Sequence, residues 1–407
     1  MSVAAAAPWP PGIDLDLVRG AGPLGLAVSG GSDSTALAVL LAEAGLHDLT
    51  LLTVDHNLRP GSAADADFVE DLARRLGLPF ERLVVTARPR GSVQAFARAA
   101  RYGLLGDAAL RRDLGAIVTA HTLDDQAETF LLRLARGSGV RGLGAMHAAS
   151  MRDGLAILRP FLGARRADLR AALAARGVTW REDPSNDDPR FDRIAMRRLL
   201  PLLAPAGLTA ERLAGTAHHL QRAGAALDAA IAATCAEAMR VDRAGGIRLA
   251  RAPLMAASEE VRLRVLADAV VRAGGSLHPP RFDRLAVAAT RVASGSGRLS
   301  LGRAVLDIGA QEVRLWREAR GIETATLPPG GTLRWDGRFT LRAGSDIPPL
   351  RIAPLGALAR HCPADALPGA LAAAPAVFVG DRLVAAPTLG VRRRDFPRHG
   401  VAARALR

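Results

Sequence analysis

Apolar runs and amphipathic stretches alternate over residues 20–160. The runs at 24–29, 49–55, 81–85, 116–120 and 155–158 have the length and aliphatic content of buried strands. Between them, 35–45, 62–77, 92–112 and 123–135 repeat apolar residues at helical spacing. Strand–helix alternation predicts an α/β domain whose parallel sheet is covered on both faces. In such a sheet the ligand lies beyond the carboxyl ends of the strands. Residues 165–205 continue this domain as helix, acidic loop and helix. From 209 to about 273 the pattern is helical, and 296–316 alternates like strand. A Pro/Gly-rich linker follows at 327–331, then a small β-containing segment with strands expected at 339–341 and 376–379. The expected layout is a tail over 1–19, a catalytic domain over 20–207, a mainly helical domain over 208–320 and a C-terminal domain over 332–407.

The length of 407 residues suits two or three domains, and an apolar share of 49% makes the chain globular. No apolar run approaches the ~20 residues that span a bilayer. The first residues lack a basic region before their apolar stretch, so they read as a loose tail rather than a signal peptide. Cys235 and Cys362 form no CxxC pair, which argues against a disulfide framework or a zinc site and for a reducing, cytoplasmic setting. The net charge is +14, and with no lysine in the chain all of the strongly basic side chains are arginine. Arginine's planar fork suits phosphate, so a nucleic-acid partner is expected beside a nucleotide.

The most informative residues are Ser29-Gly30-Gly31-Ser32-Asp33-Ser34, between the first apolar run and the first helical pattern. Glycines let a backbone approach an anion, and a helix N-terminus presents N–H groups to it. The segment lacks a Walker Gly-Lys-Thr/Ser ending and resembles the SGGxDS pyrophosphate loop of adenylating enzymes. Asp55 and His56 follow the second run, within VDHNLR at 54–59, where they could meet a base, a ribose or a metal, or cap a turn. His121 follows the fourth run, ahead of Asp124, Asp125 and Glu128. Asp125 and Glu128 share a helix face. They could hold Mg²⁺ beside phosphate, bind an ammonium group, or simply favour the helix dipole. Arg98 and Arg101 also share a face, beside Tyr102, the only tyrosine. Arg136 closes a helix before Gly137, and Arg193 and Arg197 lie four apart after the acidic loop that begins at Trp180. Residues 391–407 hold six arginines against one aspartate.

Taken in order, these motifs resemble the tRNA(Ile)-lysidine synthetases. The resemblance is carried by SGGSDS at 29–34, VDHNLR at 54–59, ARAARY at 97–102, AHTLDDQAET at 120–129, RLARGSGVRGLGAM at 133–146, LRPFL at 158–162 and WREDPSND at 180–187. It implies a PP-loop, adenine nucleotide α-hydrolase-like fold: a doubly wound parallel five-stranded sheet, then a helical domain and a small β-containing C-terminal domain. It implies that ATP adenylates the C2 oxygen of the wobble cytidine in a CAU-anticodon tRNA(Ile), and that the ε-amine of free L-lysine then displaces AMP. Ser29, Gly30, Gly31, Ser32, Asp33, Ser34, Asp55 and His56 would bind ATP, with Asp33 also a ligand for Mg²⁺. Asp33, Arg101, His121, Asp125 and Glu128 would be catalytic, Asp125 and Glu128 receiving the lysine ammonium. Arg98, Arg101, Arg136, Arg193 and Arg197 would contact tRNA. No membrane partner is expected, and a homodimer is compatible with this reading.

The sequence departs from the family pattern at Thr122, where a second His is frequent, and at Ile194, where Asn usually follows the arginine. A tRNA thiolase of the same fold is the nearest rival, but no cysteine precedes Cys235. An ammonia-dependent small-molecule synthetase would not need the basic charge or the C-terminal domains.

Overall fold

The computed structural model describes residues 8–57, 61–86, 93–182, 192–362, 365–397 and 400–406. The chain forms two compact units, Met1–Ala225 and Ala226–Arg407.

The first unit runs β1 (Leu24–Ala27), α1 (Ser32–Glu43), β2 (Leu49–Asp55), α2 (Ser62–Leu76), β3 (Phe80–Val84), α3 (Val93–Arg111), β4 (Ala116–Thr119), α4 (Leu123–Ala135), α5 (Val140–Leu143), β5 (Ala149–Arg152), β6 (Leu155–Leu158), α6 (Arg166–Ala175) and α7 (Asp192–Leu203). α8 (Ala210–Ala238) begins in this unit. The sheet order is β3-β2-β1-β4-β6-β5. Every pairing is parallel except β5 with β6.

Side chains alternate across this sheet as the two-residue strand period requires. Leu49 and Leu51 of β2, with Ala116 and Val118 of β4, pack into a core shared with Leu37, Leu40, Val69, Leu72 and Leu169 from α1, α2 and α6. Leu52 and Ile117 face the other way, onto Tyr102, Leu105 and Ala109 of α3. Helices on both faces leave the strands no wet side, so they read as continuous apolar runs. Leu37 and Leu40 are fully buried, each worth roughly 2 kcal/mol of transfer free energy.

The five expected strands are all present, and the sheet has a sixth. β5 is half exposed and has no apolar run of its own. It is created by the Asp153-Gly154 turn, where both residues have positive φ (50° and 85°). That is the chemistry of a tight two-residue hairpin.

The second unit first forms a five-stranded antiparallel sheet in the order β7-β8-β11-β10-β9. Its elements are β7 (Met239–Val241), β8 (Ile247–Ala250), α9 (Arg251–Ala256), α10 (Glu259–Gly274), α11 (Phe282–Ser294), β9 (Gly297–Leu301), β10 (Ala304–Ile308) and β11 (Glu312–Arg317). Residues 208–320, expected to be mainly helical, hold α8–α11 and also these five strands, and within 239–317 helices pack on the sheet. Val265, Val270, Leu285 and Val292 meet Leu306, Ile308, Val313 and Leu315.

The remaining strands are β12 (Ala325–Leu327), β13 (Thr332–Trp335), β14 (Phe339–Ala343), β15 (Leu350–Pro354), β16 (Pro375–Val379), β17 (Arg382–Ala386), β18 (Val391–Arg392) and β19 (Val401–Ala405), with α12 (Pro368–Ala372) before β16. They form sheets ordered β12-β15-β16-β17-β18 and β13-β14-β19. The expected linker at 327–331 is the turn between β12 and β13. A buried ion cluster lies in this unit. Asp336 pairs with Arg303 (2.7 Å), Arg317 (3.1 Å) and Arg338 (2.9 Å). Burial outweighs the Asp336 charge and lowers the Arg338 pKa to about 10.

Candidate active site

The site is built at the carboxyl edge of the first sheet. β1 delivers the chain into Ser29–Ser34, and α1 starts at once. Gly30 turns the loop with φ +85°, a conformation that costs a side-chain-bearing residue roughly 1–2 kcal/mol. The loop is tied internally. Ser34 Oγ donates to the Gly31 carbonyl (3.0 Å) and accepts from the Ser29 N–H (3.1 Å), while Thr35 Oγ1 donates to the Gly30 carbonyl (3.2 Å). Gly31 precedes α1 without a side-chain cap. A Cβ at Gly31 would find only Ser29 Oγ, 3.9 Å away. An uncapped helix start facing open space is what an anion requires.

The acidic cluster enters from β4. Thr122 caps α4, accepting from the Asp125 N–H at 3.3 Å, while Asp125 Oδ2 accepts from the Thr122 N–H at 2.8 Å. This capping box explains the departure at Thr122: the residue is buried and occupied with the helix start. Asp125 is therefore structural through Oδ2, which leaves Oδ1 to face the rest of the site. Glu128 lies one turn on, its side chain only 1% exposed. Its Oε1 accepts from Arg197 Nε at 2.8 Å, and its Oε2 has no hydrogen-bond partner among the described residues.

One residue absent from the sequence reading joins the halves. Arg166, the first residue of α6, donates Nε to Asp33 Oδ2 (2.8 Å) and Nη2 to Asp125 Oδ1 (3.1 Å). Its Nη1 stands 3.5 Å from Glu128 Oε1, and its backbone N–H donates to Asp124 Oδ2 at 2.8 Å. One turn along, Arg170 Nε donates to Ser32 Oγ (3.2 Å). A local signal for Arg166 did exist: Arg165 and Arg166 open a helix, where positive charge opposes the dipole.

The environments separate the titrating groups. Burial would raise the Asp125 carboxyl, but Arg166, His121 and the Thr122 N–H outweigh it and hold its pKa below the usual range. Burial raises Glu128 despite Arg197, and raises Asp33 despite Arg166. His121 is lowered to about 4, chiefly by burial against the opposing pull of Asp125. It is therefore neutral near pH 7, with Nδ1 2.9 Å from Thr119 Oγ1.

The other expected residues fall as follows. Asp55 is buried and fully engaged: Oδ1 accepts from the Asn57 N–H (2.9 Å) and Oδ2 from Arg82 Nη2 (2.7 Å). It shapes the turn after β2 and pairs with Arg82, which holds the carboxylate at the strand end. Both ring nitrogens of His56 are buried without a partner among the described residues. Burial and the Arg101 charge keep its pKa low. Arg98 and Arg101 are exposed on α3. Tyr102 is 9% exposed and covered by Arg152, whose guanidinium carbon is 4.1 Å from the ring centre, so no base can stack on that face. Arg136 pairs with Asp192 at the surface (2.6 Å). Arg193 is exposed, and its charge lowers both His121 and Asp125. Arg197, expected on tRNA, is drawn to Glu128. Leu58, Arg59 and the acidic loop after Glu182 lie outside the described residues.

Sheet order, uncapped loop and acidic cluster define an ATP-using enzyme of the PP-loop class, and residues 15–203 match the family described as the PP-loop domain. The tRNA(Ile)-lysidine synthase of Ruegeria pomeroyi is 43% identical over 378 residues, 90% of this chain and 89% of that one. That of Methylobacterium nodulans is 46% identical over 305 residues, covering 72% and 90%. Among solved structures, the U34-tRNA thiolase NcsA from Methanococcus maripaludis is a distant likeness, with a TM-score of 0.44 and 14% identity over 51% of this chain and 74% of that one. The chain belongs to the tRNA(Ile)-lysidine synthase family. No helix among the described residues is long and apolar enough to cross a membrane.

Proposed function

We infer that this chain is an ATP-dependent ligase that converts the wobble cytidine of tRNA(Ile) to lysidine, joining carbon to the ε-nitrogen of L-lysine. The observation that carries the reading is the single guanidinium of Arg166 reaching both Asp33 of the phosphate loop and Asp125 of the acidic pair. A nucleotide on the loop and an ammonium on the pair would then be neighbours, as two reactants of one centre must be.

In the first step the cytidine C2 oxygen attacks the α-phosphorus of ATP and the bond to pyrophosphate breaks. The uncapped start of α1 and the Ser32 hydroxyl would hold the phosphates, with Ser34 bracing the loop beneath them, and Arg170 stands beside Ser32. Asp33 offers one carboxylate next to those phosphates. Among the described residues no group of three or more His, Cys, Asp or Glu could hold a metal by itself. Mg²⁺ commonly takes one or two carboxylates and completes its shell with phosphate and water, so the donor set fits Mg²⁺ carried with ATP. Bound there, Mg²⁺ would neutralise phosphate charge.

In the second step the lysine nitrogen forms a bond to C2 and the C2–O bond breaks, releasing AMP. Asp125, kept ionised, would hold the ammonium. Glu128 fits the proton acceptor better than His121. Its raised pKa and buried Oε2, which has no partner among the described residues, suit proton uptake, whereas an imidazole with a pKa of about 4 takes up little at neutral pH. Exposed Arg98, Arg101 and Arg193 would face the tRNA backbone and the activated cytidine. We further propose a CAU anticodon as the target, a cytoplasmic setting compatible with a homodimer, and substrate-binding roles for residues 208–320 and 332–407.

The test is stoichiometry. One pyrophosphate, one AMP and one tRNA-bound lysine per turnover support the reading. AMP production that needs no tRNA would replace it with a small-molecule synthetase.

A further inference from the structure

We propose that Arg166 is a resident counter-cation that fills the lysine-ammonium site until nucleotide draws it away, so that lysine binds after ATP. The proposal rests on the assignment of Asp125 and Glu128 to the ammonium. In this structure the guanidinium already uses Asp125 Oδ1 (3.1 Å) and stands 3.5 Å from Glu128 Oε1. These are the oxygens an incoming ammonium would need. Two cations cannot share them without direct repulsion.

Arg166 also has a reason to leave. It opens α6, where the helix dipole disfavours positive charge, so its place depends on the carboxylates around it. Its Nε holds Asp33, inside the phosphate loop, at 2.8 Å. Phosphates arriving at the loop repel that carboxylate and offer the guanidinium a bidentate partner on its Asp33 side. Arg170, one turn along the same helix face, already touches Ser32 of the loop. A shift of Arg166 toward phosphate frees Asp125 Oδ1 and relieves Glu128, making the pair anionic when an acceptor for lysine has become useful. The backbone hydrogen bond from Arg166 to Asp124 (2.8 Å) keeps the residue in place while its side chain moves.

The coupling is measurable as lysine affinity. Labelled lysine is titrated into the full-length protein by equilibrium dialysis, with and without Mg²⁺ and α,β-methylene-ATP, which cannot release pyrophosphate. The wild type should bind lysine at least tenfold more tightly with the analogue. Linkage demands that lysine tighten the analogue by the same factor. In Arg166→Gln the analogue's effect should fall below about threefold, with lysine affinity in its absence rising toward the nucleotide-bound wild-type value. Arg166→Lys, which keeps the charge, should restore part of the dependence. Equal lysine affinity with and without the analogue in the wild type overturns the proposal while leaving the proposed function intact. So does an Arg166→Gln protein that folds but binds lysine less tightly in both states, which would make Arg166 a static support. A wild type that binds no lysine under either condition overturns both.

Discussion

Replacing Glu128 with Gln separates chemistry from folding. The side chain is 1% exposed, and its Oε1 is shared between Arg197 (2.8 Å) and Arg166 (3.5 Å). Gln keeps the volume and an acceptor oxygen but removes the charge. Arg197 is 40% exposed and stays hydrated without its partner charge, so losing the pair costs about 1 kcal/mol rather than the roughly 3–5 of a fully buried pair. That loss is offset because a buried carboxylate no longer has to be kept ionised. The folded state raises the Glu128 pKa. Ionised Glu128 therefore costs stability above that pKa, and the cost disappears as pH falls through it. The net change in stability should stay within about 1 kcal/mol, and the Gln variant should lose this pH dependence. Lysine transfer should behave differently. Loss of a proton acceptor costs typically 10²–10⁴ in rate, about 3–5 kcal/mol of barrier. The assay follows pyrophosphate release and lysine incorporation separately in single-turnover reactions. Pyrophosphate release should stay within about threefold of the wild type, while lysine incorporation collapses. In the wild type, transfer should fall as pH drops through the raised Glu128 value, because the acceptor becomes protonated. Lysine incorporation within tenfold of wild type, or an unchanged acid limb in the variant, would refute the role given to Glu128.

Asp125→Ala should retain ATP binding and lose lysine transfer, with about 1 kcal/mol of stability lost with the capping box; equal lysine incorporation by variant and wild type would remove Asp125 from the site. Gly30→Ala forces a methyl onto a φ of +85°; the strain of about 1–2 kcal/mol should weaken ATP binding roughly 5–30-fold, and an unchanged Kd by calorimetry would show that the loop tolerates it. Asp336→Ala leaves three arginines without their buried partner and should destabilise the second unit by about 3–5 kcal/mol in urea unfolding, with ATP binding by the first unit as a control; an unchanged transition would mean the cluster carries no net energy.

The parallel sheet was legible because its strands are buried on both faces and so declare themselves as apolar runs. β5 was not, because Ala149-Ser150-Met151-Arg152 is half exposed and pairs only through the Asp153-Gly154 turn. The strands of residues 239–317 were partly hidden for a similar reason: β7 and β8 are short and gain their apolar partners from distant segments. In the site, loop and acidic cluster were readable since each is contiguous. What sequence could not supply was pairing across long intervals. Arg166 meets Asp33 over 133 residues, and Arg197 meets Glu128 over 69. Asp55 looked like a ligand contact because a carboxylate at a strand end has that chemistry. Its pairing with Arg82, one strand over, was not legible.

The central claim is tested most directly by incubating the protein with labelled lysine and a tRNA(Ile) transcript carrying a CAU anticodon, with and without ATP. A transcript with uridine in place of the wobble cytidine serves as control. Incorporation should require ATP, be confined to the cytidine transcript and match AMP release one to one. Incorporation into both transcripts, or ATP hydrolysis by folded protein with no lysine on either, would contradict it.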